Sequence, residues 1–302
     1  MITNRLSLTT LLLQIIALAV LCLIAGTTVL ANTERAKEHF NAGLTAEQNG
    51  DEAGAITSYE AAIAEDADFT DAYINLGAIH FRQKNYEQAL QSFKTATEKD
   101  QQNADAFANL GRVEYALKKY AEAEMAFKAA AGLKPDNPNL CKELGKVYYK
   151  KKNYPEVINA FVKCHQLGGG DYLSYFMLGK AYQKQNNMNE AIASLQRSVG
   201  LRGDYYNAHS ALGSIYLSQE KYRSAAGAFQ AAMSADPSKY RAAYNYAVAA
   251  EQSNPEDYDT NIANWENFIR VARKNPKASK DVAVAQDHVK ELKEAKGKAD
   301  LQ

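Results

Sequence analysis

The 302-residue sequence lacks an excess of charge of either sign: 35 lysines and arginines stand against 35 aspartates and glutamates. A chain without basic excess lacks the electrostatic footprint of a nucleic-acid binder, so any charged site must come from local sorting. Three cysteines are too few to staple a small fold. The five histidines, His39, His80, His165, His209 and His288, include no pair spaced to hold a metal on one helix face. No glycine-rich phosphate loop occurs, and "LGGGDY" at Leu167–Tyr172 reads as a linker. With no nucleophile, base or metal constellation, the sequence gives no support for an enzyme, and no cofactor or metal is expected. What remains is a chain of only six prolines and nineteen tyrosines, the composition of a mostly helical protein with aromatic packing.

The first 31 residues differ from the rest. Arg5 precedes a run, Leu6 to Thr33, without a single charge, centred on "LLLQIIALAVLCLIAG" and followed by the small-residue sequence "VLA" at Val29–Ala31. This is the form of a secretory signal cut after Ala31. The alternative is an uncleaved anchor over residues 6–31, since the run is long enough to span a bilayer. Cys22 follows Leu21, where a lipoprotein signal carries a small residue, which speaks against lipidation. Either form exports the remainder, to the periplasm or beyond, as a near-neutral domain. The membrane is then a partner only through an uncleaved N-terminal segment.

Residues 32–276 are periodic. Gly43, Gly77, Gly111, Gly145, Gly179 and Gly213 follow one another at intervals of 34 residues. From Gly77 onward a leucine precedes each. Alanine stands twelve residues later in all but one unit (Val157), and an aromatic ring sixteen later in all but one (Leu195). Pro135 and Pro237 close two units. At 3.6 residues per turn, offsets −4, −1, 0 and +3 from each glycine share one helical face. The glycine therefore sits on a buried stripe, where it lets the second helix approach through its small alanine. "KNY", "KKY" and "EKY", ending in Tyr86, Tyr120, Tyr154 and Tyr222, mark a tight turn nine residues after the glycine.

The 34-residue unit with Leu-Gly, Tyr, Ala, Phe and Pro at these offsets resembles the tetratricopeptide repeat. The resemblance covers about residues 36–274 and implies an all-α, right-handed superhelical solenoid of stacked helix–turn–helix units. Six units are regular. The seventh is degenerate, with Ala247 in place of the glycine, its second helix expected over Ile262–Arg273, and Trp265 in or beside the closing core. Residues 277–302 follow as a capping helix and tail: Val282, Ala285, Val289 and Leu292 recur at helical spacing, and "KGKADLQ" reads as loose. His39, His80 and His209 fall at core offsets.

Cys141 lies four residues before Gly145, and Cys164 nineteen after it on the antiparallel partner helix. That placement permits a disulfide in an exported protein, or two small buried thiols. His165 points away from its neighbour Cys164, which argues against a zinc site.

The resemblance implies a ligand surface on the first helix of each unit, and offsets −3, +1, +4 and +5 are the ones opposite the buried stripe. The third unit puts Arg112 and Tyr115 there; the fourth Lys142, Lys146, Tyr149 and Lys150; the fifth Phe176, Lys180, Gln183 and Lys184. Arg112, Lys146 and Lys180 are equivalent positions, as are Lys150 and Lys184. No acid occupies these offsets, although Glu143 lies at their edge. The expectation is a non-enzymatic scaffold of the cell envelope that holds an extended acidic or carboxylate-bearing protein segment in this groove. The alternatives are a self-associating assembly protein of unspecified oligomeric state, or a binder of an anionic glycan or lipid head group.

Overall fold

The computed structural model describes residues 8–301 as helices joined by short turns, with no strand among them. Residues 1–7, within the expected targeting segment, and Gln302 lie outside the described residues. The chain divides into two compact units at Pro135/Asp136.

The first unit holds three helix pairs: α1 (Leu8–Gln48) with α2 (Glu52–Glu65), α3 (Thr70–Arg82) with α4 (Tyr86–Lys99), and α5 (Ala104–Ala116) with α6 (Tyr120–Leu133). α1 runs without a break from the apolar segment into the first repeat. Leu13, Ile15, Ile16 and Leu18 are exposed on it, and Ala36 is buried. Among the described residues, no helix is long and apolar enough to cross a membrane.

The second unit holds α7 (Pro138–Lys151) with α8 (Tyr154–Gln166), α9 (Tyr172–Lys184) with α10 (Met188–Leu201), α11 (Tyr206–Ser218) with α12 (Tyr222–Ala235), and α13 (Tyr240–Ser253) with α14 (Tyr258–Ala272). A 3-10 turn at Pro276–Ala278 leads into α15 (Ser279–Ala299), which packs on α14. α15 extends through Lys296–Ala299, so most of the stretch expected to be loose is helical. Val282, Ala285, Val289 and Leu292 are all buried, in one cluster with Ala247, Trp265 and Phe268.

Each core cluster joins neighbouring repeats. Ala55, Tyr59 and Ala62 of α2 bury against Ala72, Leu76 and Ile79 of α3, and Val157 and Phe161 of α8 against Leu178 and Ala181 of α9. No helix pair contains its own core, so stability is shared along the stack.

The glycines explain how the pairs close. A Cβ built on Gly77 would stand 2.9 Å from the Phe93 ring, one on Gly43 2.5 Å from Tyr59, and one on Gly213 2.7 Å from Phe229. The atoms seated on the glycine thus belong to the ring sixteen residues later, rather than to the alanine twelve later. The alanine, fully buried at positions 55, 89, 123, 191 and 225, lets the helix backbone come near enough for the ring to land.

Between the helices of each of the first six pairs the chain makes one left-handed residue, seven after the glycine: Gly50, Lys84, Lys118, Lys152, Asn186 and Glu220, all with φ between 58° and 76°. The next amide closes the turn onto the carbonyl five residues back, as in Asn85 N to His80 O at 2.9 Å and Lys221 N to Tyr216 O at 2.9 Å. The first letter of each "KNY", "KKY" or "EKY" is this strained residue.

The seventh repeat departs from this register. Its second helix begins at Tyr258, eleven residues after Ala247, where every other pair begins at nine. α14 therefore starts four residues before the expected Ile262, capped by the Asp257 carboxylate on Thr260 N. The two-residue insertion carries Trp265 to the place of the repeating ring and Asn261 to the place of the small alanine. Asn261 is buried and donates to Asn254 O at 2.9 Å, so the polar replacement is satisfied. Of the histidines expected in the core only His80 is buried. His39 and His209 are half-exposed, and His209 Nε2 donates to Gly203 O at 2.7 Å, a loop bond that helical offsets do not reveal.

Two predictions follow from these contacts. Gly77→Ala gains about 1 kcal/mol of helix propensity but forces the Phe93 ring aside, a cost of roughly 1–3 kcal/mol. It should lower the urea midpoint, whereas Gly227→Ala, in exposed α12 with nothing within 4 Å of the added methyl, should raise it. Glu220→Gly removes left-handed strain and should stabilise by roughly 0.5–1 kcal/mol, read by the same denaturation.

Candidate ligand face

In the first unit, Arg112 and Tyr115 lie on α5. Arg112 is exposed and its Nη1 donates to Asn109 Oδ1 at 3.1 Å. With Ala78, Phe81, Arg82, Phe93 and Asn109, Arg112 lines a recess of about 160 Å³. Arg82 is spoken for: it pairs with Glu47 at 2.7 Å and Glu52 at 3.3 Å in the preceding repeat. Tyr115 meets Tyr120 edge to face at 5.5 Å, as Phe81 meets Tyr86 one repeat earlier at 5.6 Å. The aromatic row therefore packs down on the tyrosines of the turns.

The second unit brings together the remaining six residues on neighbouring helices α7 and α9. Their cations are not equivalent. Lys142 Nζ reaches Asp171 at 3.4 Å, and Lys146 Nζ reaches Glu143 at 2.6 Å. Lys180 is half-buried, with its Nζ donating to Gln183 Oε1 at 2.5 Å; burial, and then the nearby Lys184 charge, pull its ammonium below the usual lysine range. Lys150 and Lys184 are exposed, and among the described residues no ion pair holds either. The strip read from the helix offsets is thus partly neutralised, by one acid at its edge and one from the linker before α9. Tyr149 lies half-buried; burial, and then Tyr154 and Tyr205, raise its hydroxyl.

Two groups beside this face escaped the offset count. Tyr205 packs edge to face on Phe176 at 5.3 Å and on Tyr172 at 4.9 Å, and the Arg202 guanidinium lies 4.8 Å from the Tyr172 ring centre. Asp171 caps α9 by accepting from Ser174 N at 2.7 Å, and is thereby aimed at Lys142. Its position before an apolar run was the available signal, since Asp is a favoured N-cap.

Of the two readings the cysteine pair permits, the structure has the thiols. Cys141 and Cys164 are buried free thiols, and Cys164 Sγ donates to Gly169 O at 3.2 Å. Burial, and then Cys141, push the Cys164 thiol up to about 11, leaving no thiolate for exchange at neutral pH. His165 stacks on Tyr175 at 3.8 Å, with Nε2 2.9 Å from Ser174 Oγ. Burial holds its pKa down.

One displaced carboxylate merits a test as an acid or base. Burial, and then Glu122, raise Glu114 to about 7. It occupies the +3 offset where the second, fourth, fifth and sixth repeats place His80, Tyr148, Tyr182 and Tyr216, and its Oε2 has no hydrogen-bond partner among the described residues. No nucleophile or enclosed cavity adjoins it, so it reads as a misfit in the stack. Its folded pKa lies above the ordinary 4.5. The contribution of Glu114 to stability is therefore fully present below pH 4.5 and is lost as pH rises towards 7. Glu114→Gln should stabilise by on the order of 1–2 kcal/mol at pH 8, after discounting for solvent screening. The gain should vanish at pH 4, as read by urea midpoints across pH.

Models of the tetratricopeptide repeat match residues 46–112, 104–137, 176–232 and 210–263, well over half of the chain. Solved structures share the fold. The C-terminal part of a TPR repeat-containing protein from Cytophaga hutchinsonii is 18% identical with a TM-score of 0.64, covering 80% of this chain and 98% of its own. PilF from Pseudomonas aeruginosa is 19% identical at TM-score 0.57, covering 72% and 96%. YrrB, described as a TPR protein with an unusual peptide-binding site, is 21% identical at TM-score 0.55, covering 62% and 95%. No curated protein matches the sequence. At these identities the likeness is one of fold.

Proposed function

Because the chain belongs to the tetratricopeptide repeat family, whose members are generally protein-interaction scaffolds, we propose that it is a non-enzymatic scaffold of the cell envelope. It holds an extended acidic or carboxylate-bearing segment of another protein against the first helices of its repeats. The observation that carries this reading is the pair Lys150 and Lys184, exposed and without counter-ions at equivalent positions of consecutive repeats. Tyr149 and Phe176 offer apolar contact beside them, as expected where a charged strand lies along aromatic surface. Lys142 and Lys146 exchange weak, half-exposed ion pairs for a ligand carboxylate at little net cost. Lys180, which disfavours its own charge, gains most from an arriving anion. Export through residues 1–31 places the repeats outside the cytoplasm.

Titration of the purified protein with an N-acetylated peptide of alternating glutamate and leucine should give saturable binding that weakens with salt. Lys150→Glu with Lys184→Glu should lower affinity at least tenfold while circular dichroism stays unchanged. Equal binding by variant and wild type overturns the assignment. Mass spectrometry of the protein from an envelope fraction reads export at the same time, by the loss or retention of residues 1–31.

A further inference from the structure

The seventh repeat presents an inner face of opposite character. Tyr244 and Glu251 stand at offsets −3 and +4 from Ala247, the positions that carry lysine and tyrosine in the fourth repeat. Together with Trp265 of α14 and with Asp287, His288 and Glu291 of α15 they line an open cavity of about 420 Å³. Three carboxylates face this space, and no lysine or arginine lines it.

The wall is preorganised. Glu251 lies under the cavity with its carboxylate accepting from Trp265 Nε1 at 2.6 Å and from His288 Nε2 at 2.9 Å. Trp265 meets His288 edge to face at 5.1 Å and Tyr244 at 5.4 Å, so three rings surround one part-buried acid. Two of the five lysines of α15 are engaged with α14: Lys293 pairs with Glu266 at 2.8 Å, and Lys296 with Asp259. Asp287 and Glu291 are exposed at the rim and, among the described residues, form no ion pair with a lysine or arginine. Val284, 66% exposed, adds an apolar lip.

We infer that this cavity is a second ligand site, which takes the guanidinium or ammonium of a basic segment in a partner protein. Charge complementarity selects the ligand. Carboxylates at the rim attract the cation, aromatic faces hold it within cation–π reach, and the apolar lip accepts the aliphatic stem of arginine or lysine. An acidic segment would meet three like charges here. A concave, low-dielectric wall strengthens both the attraction and the exclusion. The inference does not depend on the cationic face of α7 and α9.

Trp265 is the only tryptophan in the chain, so its emission reports on this cavity alone. The full chain is titrated at low salt with N-acetyl tetra-arginine amide and, separately, with tetra-glutamate. Tetra-arginine should change the emission saturably, and tetra-glutamate should not. Asp287→Asn with Glu291→Gln, two exposed changes that leave Trp265, Glu251 and His288 in place, should weaken the response at least tenfold. Lys150→Glu with Lys184→Glu should leave it unchanged, which separates this site from the one proposed above. The inference is overturned if tetra-arginine leaves the emission unchanged, if both peptides act alike, or if the Asp287/Glu291 variant responds as wild type does. Emission that shifts with protein concentration alone also overturns it, because the occupant would then be a second copy of the chain.

Discussion

The seating of a ring on a helical glycine, sixteen residues apart in the chain, sets the distance between the two helices of each pair, and the other features inherit that spacing. With a methyl group on the first helix the ring would have to withdraw, and the alanine twelve residues on would lose its contact with the facing backbone. The left-handed turn residue at offset +7 then has no freedom: two helices held this close leave only a short return. This accounts for the same positive φ at lysine, asparagine and glutamate as at Gly50. Local strain is tolerated because packing on both sides prescribes it.

The seventh repeat shows what happens when the contact is rebuilt from different parts. The glycine becomes Ala247, two residues are inserted in the turn, and tryptophan replaces the phenylalanine. The insertion and the larger ring compensate for each other, since α14 shifts by the number of residues that restores an aromatic side chain to the interface. Trp265 is anchored by Glu251, as Tyr59 is by Glu47 at the same offset of the first repeat, and Glu251 is held in turn by α15 through His288. The closing helix is therefore fastened to the stack by a polar triad as well as by its four buried aliphatic positions.

The period of 34 made the helices, their pairing and the buried stripe legible before any coordinates, because each follows from offsets within one unit. The remaining features turn on partners and insertions that a count of offsets from the glycine does not carry. Asp171, which meets Lys142, comes from a linker 29 residues away, and Glu143 reaches Lys146 from the flank of the inner face. Cys141 and Cys164 had a spacing that allowed a bond, but spacing says nothing of the Gly169 carbonyl that accepts from the Cys164 thiol. The start of α14 was misplaced because an insertion conceals itself in a count from the glycine, and the Asp257 cap was the only local mark of it.

Since offsets −4, −1, 0 and +3 satisfy the stack, the inner offsets are free of structural duty and can carry any charge. Within the second unit they do so with opposite sign: lysines on α7 and α9, carboxylates and rings on α13 and α15. The balanced composition of the chain is therefore a sum over regions that are individually unbalanced. Pairing of α15 with α14 through Lys293 and Lys296 turns two of the five lysines of α15 towards α14, and none of the five lines the cavity that Asp287 and Glu291 face. A ligand recognised along such a surface is read by the order of its charges, and uniform charge of either sign matches only one part of it.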